Sequence, residues 1–208
     1  RKLTNFDFVA IENAIDALRY SFTFDFAKNE IHKKYHRDIF FNLVNSQLNY
    51  DDTTEAAKML NLKEDAYYRV VSFHSIPEDQ KEKYSLEQLD EVDIIADQIS
   101  MFYPKDHIYK NVSQIVMLQK MDSEKEEDDS KKRLNELIDI VKKSISKRDQ
   151  NTNFNVGVGE IVKGYRNLKN SYKQSRTAMK FMKIARRITG DINKSTVYYS
   201  KLGIFQSF

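Results

Sequence analysis

Few side chains in this sequence suit covalent chemistry. There is no cysteine, which excludes disulfides, thiolate zinc sites and a cysteine nucleophile. The histidines are His32, His36, His74 and His107. His32 and His36 stand four apart, a helical spacing that could hold a metal ion. No glutamate completes an HExxH arrangement with them. The simpler reading is a polar layer in a helix seam, where protonation would oppose tight pairing of two copies.

Three charge or glycine patterns remain. Glu124, Glu126, Glu127, Asp128 and Asp129 form an acidic run without the glycine and alternating spacing of a calcium loop. Acid there suits the start of the helix that follows. Asn155-Val156-Gly157-Val158-Gly159-Glu160 contains a GxG. The third glycine of a dinucleotide-binding turn is replaced by Val162, so the glycines are read as points of close backbone approach. From Lys163 to Lys194 there are ten Lys/Arg and one Asp, a balance of +9, which leaves −6 for the rest of a chain of net charge +3. Lys169, Lys173, Arg176, Lys180, Lys183 and Arg187 share one helical face, opposite Leu168, Tyr172, Ala178, Met182 and Ala185. Such a face either contacts phosphates or an acidic partner, or is solvated and pairs with the acidic run. No catalytic, metal-binding or cofactor-binding residue is assigned, and no cofactor is expected.

These groups are carried by 208 residues, 40% hydrophobic and 31% charged, with five glycines and two prolines. That composition excludes collagen-like, linker and proline-rich disordered classes. No stretch approaches 18 consecutive apolar residues, so no membrane span is expected. A lysine-rich, cysteine-free chain that opens on no secretory signal fits the cytoplasm. Because it begins at Arg1, it is expected to be part of something longer.

The first element reads as one helix from about Phe6 to Leu48, opened by a Thr4–Asp7 capping box. Phe8, Ile11, Ile15, Leu18 and Phe22 alternate at three and four, the seam of a coiled coil. The seam turns polar through Asp25, Asn29, His32 and His36, then returns to Ile39 and Leu43. Phe24, Ile31 and Tyr35 lie off it. A helix this long needs a partner, so it reads as a dimerising connector of about residues 1–50; the plainer alternative lays it across its own domain.

Residues 51–208 form the second expected unit. Asp51 or Asp52 caps a short helix over Thr53–Leu60, Asn61 is its left-handed stop, and Leu62 folds back. This stretch resembles half of a helix-turn-helix, but a strand, Tyr67–Ile76, follows it. Next come a helix over Leu86–Phe102, a hairpin over His107–Met121 turning near Lys110-Asn111, and a helix to about Lys147. A strand over Phe154–Val162, a long helix over Tyr165–Thr189 ended by Gly190, and a strand over Thr196–Tyr199 complete the chain. The order predicts an α+β, ferredoxin-like, mainly antiparallel sheet with helices on one or both faces.

The strand with Gly157 and Gly159, the run Leu168, Ser171-Tyr172, Ser175-Arg176, Ala178-Met179, and the ending Val197-Tyr198-Tyr199-Ser200-Lys201-Leu202-Gly203-Ile204-Phe205 follow a familiar order and spacing. Over about Ile39–Phe208 the chain resembles the GGDEF-like domain of PucR/CdaR-type bacterial transcription regulators. The resemblance implies a regulatory, dimeric part of such a regulator. A sensor region would precede it, and a DNA-binding helix-turn-helix, absent from this chain, would follow Phe208. It implies an effector of unknown identity. The element order also resembles diguanylate cyclases, whose chemistry needs an acidic metal ligand near the end of the first strand and a Gly-Gly-Asp/Glu-Glu-Phe turn. Here that strand ends Phe73-His74-Ser75-Ile76-Pro77, with Glu78 and Asp79 beyond it, and the turn reads Lys110-Asn111-Val112-Ser113. No cyclase activity is expected; the alternative is a degenerate nucleotide-binding or cyclase-like enzyme domain.

Overall fold

The computed structural model describes residues 4–45, 48–74, 86–104, 106–111, 114–121, 123, 127–146, 154–191 and 194–203. Helix α1 (Asn5–Asn45) opens with the expected box. The Thr4 N–H and hydroxyl each donate to Asp7 Oδ2 at 2.7 Å. At about 1.5 Å per residue, its 41 residues span roughly 60 Å.

Helix α2 (Tyr50–Met59) is capped by Asn49, whose side chain accepts from the Asp52 N–H at 2.8 Å. The expected cap at Asp51 or Asp52 is thus corrected: both lie in the first turn, where their charge favours the helix dipole instead. Asn61 has φ 53°, the Asn61 N–H donates to the Lys58 carbonyl, and the Leu62 N–H donates to the Ala57 carbonyl. These two bonds satisfy the last carbonyls and turn buried Leu62 back on the helix, as expected.

Strand β1 (Tyr67–His74) pairs antiparallel with β3 (Gln114–Met121), which pairs with β2 (His107–Lys110). Between β1 and β2 runs α3 (Leu86–Phe102); after β3 comes α4 (Glu127–Ser146). The expected strand over Phe154–Val162 is two strands, β4 (Asn155–Val158) and β5 (Val162–Lys163), both antiparallel to β1. The break falls where Gly159 and Glu160 press on the next helix. That helix is not continuous either. A 3-10 turn (Tyr165–Asn167) leads into α5 (Leu168–Lys180), and a turn at Phe181 separates α6 (Met182–Thr189). Gly190 ends α6 at φ 66° as expected. Strand β6 (Thr196–Tyr198) lies parallel to β4.

The sheet order is β2-β3-β1-β4-β6, with β5 on β1. Its first four strands follow the βαββαβ path, with the added strand at one edge. The fold is therefore α+β with a mostly antiparallel sheet and a long N-terminal helix, and helices cover both faces. Alternation along β1 and β3 sorts the core. Val71, Phe73, Ile115 and Met117 face α3 and α4, packing on Val92, Ile95, Leu134 and Leu137. Tyr68, Val70, Val116 and Leu118 face the other way, onto Phe40, Leu60, Leu168 and Tyr172.

The end of β1 at Ile76 and Pro77, Glu78 and Asp79, Val112-Ser113, Asp122 with Glu124–Glu126, the side chains of Leu89 and Ile145, and Ile204-Phe205 lie outside the described residues.

Candidate functional site

Helix α1 divides into two parts. Residues 4–36 are exposed throughout. Phe8, Ile11, Ile15, Leu18 and Phe22 form one stripe there, with Phe22 71% exposed. Apolar surface on this scale marks an interaction site more often than a solvated face. The last turns behave differently. Phe40, Leu43 and Val44 are buried, and Phe40 stacks on Tyr109 of β2 with centroids 4.1 Å apart. Ile39 packs against the same cluster. The lower end of the seam thus belongs to the chain's own core, and the upper end does not.

The basic face falls on α5 and α6, two helices rather than one. Lys173, Arg176, Lys180, Lys183 and Arg187 are exposed and Lys169 is half-buried, while Leu168, Tyr172, Ala178 and Met182 are buried behind them. The carboxylates at the start of α4 are engaged along their own helix, Glu127 with Lys131 at 2.7 Å and Asp129 with Lys132 at 3.7 Å.

The GxG glycines lie under α5. A Cβ on Gly157 would stand 2.0 Å from the Ser175 carbonyl oxygen, and one on Gly159 would stand 2.2 Å from that of Ser171. Two serines exploit the approach. Ser171 Oγ accepts from the Val70 N–H at 3.0 Å and donates to the Glu160 carbonyl at 2.7 Å, spanning the gap between β4 and β5. The Ser72 and Ser175 hydroxyls meet at 2.9 Å. Close packing, rather than phosphate binding, accounts for the pattern.

A cleft of about 420 Å³ separates α1 from α3 and β2, with Lys33, His36, Asp93, Asp97, Asp106 and His107 among its walls. Lys110 of β2 is paired across it with Asp93 of α3. Burial pushes the Asp106 carboxyl up to about 6, against the opposing pull of its bond from the Lys120 N–H and of Arg133 and Arg69. Burial pulls His107 down, and the charges of His36 and Lys120 act in the same direction. His32 and His36 are ring neighbours, 6.4 Å apart. Among the described residues no group of three or more His, Asp or Glu could hold a metal ion.

Sequence reasoning missed Arg69. It shares the face of Val71 and Phe73 on β1, yet it is 1% exposed. A charged residue at an inward, period-two position was the available signal.

The βαββαβ path of the first four strands, in the order β2-β3-β1-β4, defines a ferredoxin-like class. Within it, a sequence model of the GGDEF-like domain matches residues 46–181, well over half of the chain, and the chain belongs to that family. No curated protein and no solved structure matches it. Among the described residues no helix is long and apolar enough to cross a membrane.

Proposed function

We propose that this GGDEF-like domain is a non-catalytic regulatory module of a PucR/CdaR-type transcription regulator. It passes the state of a sensor through α1 to a DNA-binding module elsewhere in the full-length protein. Two copies associate through Phe8, Ile11, Ile15, Leu18 and Phe22, and the 1–50 connector and 51–208 regulatory unit work as its two parts. One observation carries the reading: α1 is exposed along residues 4–36 and anchored in the core through Phe40, Leu43 and Val44. A helix fixed at one end by packing moves its core anchor when its free end is rotated or re-paired.

The absence of turnover belongs to the same reading. The turn Lys110-Asn111-Val112-Ser113 lacks the acidic pair and glycines that would seat two cations and a triphosphate. Incubation with GTP and magnesium yields no cyclic dinucleotide on this reading, and formation of one overturns it.

Sedimentation velocity tests the association. The chain runs as a dimer, and Ile15→Ala with Leu18→Ala shifts it toward monomer. A double variant that still sediments as the wild-type dimer contradicts the seam.

A further inference from the structure

We propose that the cavity between the start of α4, the β4–β5 break and β6 binds a small zwitterion, an amino acid in the broad sense. Its carboxylate is held by Arg69 and its ammonium by Glu160. The inference rests on this cavity alone and not on the dimer reading.

Arg69 is the anchor of the site because it is both buried and incompletely bonded. Its Nε and Nη2 donate to Gln119 Oε1 at 3.2 and 2.7 Å, and Nη2 donates to Ser130 Oγ at 2.5 Å. A guanidinium carries five N–H donors, so among the described residues these bonds leave the two on Nη1. The acceptors engaged are neutral, and among the described residues no carboxylate lies within ion-pair distance of Arg69. Glu127 and Asp106 favour its charge only from beyond ion-pair distance, so among the described residues this buried cation is incompletely compensated. An anion entering the cavity would complete that compensation.

The cavity is about 280 Å³, with Arg69, Glu127, Gly159, Glu160, Tyr198 and Ser200 among its walls. That is smaller than the pockets that take drug-sized ligands. A bare anion would meet Arg69 but also face Glu127 and Glu160. A bare cation would meet the carboxylates but also face Arg69. A zwitterion matches both signs. Glu127 is already engaged by Lys131 at 2.7 Å. Glu160 is held in place with capacity to spare. Its Oε2 accepts from Gln174 Nε2 at 2.7 Å and its N–H donates to Gln174 Oε1 at 3.1 Å, while a carboxylate has about four acceptor positions. The Tyr198 hydroxyl is turned to Asn135 Oδ1 at 3.2 Å, which fixes that wall.

Calorimetric titration of the full chain with glycine, β-alanine and 4-aminobutanoate tests this, with acetate and methylammonium as half-ligands at matched ionic strength. At least one zwitterion is expected to saturate a single site at millimolar concentration, with the half-ligands at least tenfold weaker. Ile161 also lines the cavity, and Ile161→Trp, which narrows it without touching the bonds of Arg69, abolishes binding and leaves the unfolding midpoint in place. Glu160→Gln weakens the zwitterion at least tenfold. The proposal is overturned if no zwitterion in the series binds, if acetate binds as tightly as the best of them, or if binding survives both variants.

Discussion

Gly157 of β4 lies so close beneath α5 that a Cβ on it would stand 2.0 Å from the carbonyl oxygen of Ser175. The contact is to backbone, so no side-chain rotation relieves it. Gly157→Ala must push α5 away from the sheet and disturb the Ser72–Ser175 hydroxyl contact. Overpacking of this kind costs on the order of 3 kcal/mol, a fall in melting temperature of roughly 6–12 °C. Gly203→Ala is the control, because among the described residues, its chain neighbours apart, no heavy atom lies within 4 Å of a Cβ there. Thermal unfolding of the two variants should separate them clearly.

Phe40 couples the protruding helix to the domain. It is fully buried and stacked on Tyr109 at 4.1 Å, with Tyr172 edge-on at 6.4 Å. Phe40→Ala is expected to cost about 3–5 kcal/mol. Amide exchange in α1 should then quicken from Arg37 to Asn45. Unchanged exchange there would show that Phe40 does not anchor the helix.

Asp106 and His107 are neighbours with opposite pH signatures. The Asp106 carboxyl sits at about 6 against an ordinary 3.8, so the folded state holds its proton more tightly than the unfolded chain does. Its contribution therefore rises as pH falls from about 6 toward 4, by at most about 3 kcal/mol. His107 is pulled below its ordinary value, so its contribution is lost as pH falls through the unfolded value of 6.5. Denaturant titrations across that range should show Asp106→Asn losing the acid-side gain and His107→Gln losing the acid-side penalty. Identical pH profiles for wild type and both variants would contradict these assignments.

Much of the fold could be read from periodicity. The Thr4–Asp7 box, the left-handed stop at Asn61, the α3 bounds and the hairpin over His107–Met121 follow from residue types at fixed local spacings. Two long elements are broken where their periodicity runs on, because the breaks are tertiary. The strand over Phe154–Val162 divides where α5 crowds Gly159, and Ser171 takes the Val70 N–H across the gap. The helix over Tyr165–Thr189 turns at Phe181, a residue with ordinary helix propensity. The candidate sites were harder still. The exposed stripe on α1 was visible as a heptad seam, but nothing local says where the seam passes into the domain's own core. Arg69 was hidden inside a strand pattern, since its partners Gln119 and Ser130 lie 50 and 61 residues away.

The most direct test of the central claim uses the absence of cysteine from the chain. Leu18→Cys places one thiol on the proposed seam, and Tyr20→Cys, 76% exposed in the single chain, places one on the opposite face of the same turn. Disulfides form only when Cβ atoms approach within about 4.5 Å. Under mild oxidation Leu18→Cys should convert to a covalent dimer while Tyr20→Cys stays monomeric on a denaturing gel. Equal cross-linking of the two, or cross-linking at Tyr20 alone, would contradict the seam through Phe8, Ile11, Ile15, Leu18 and Phe22.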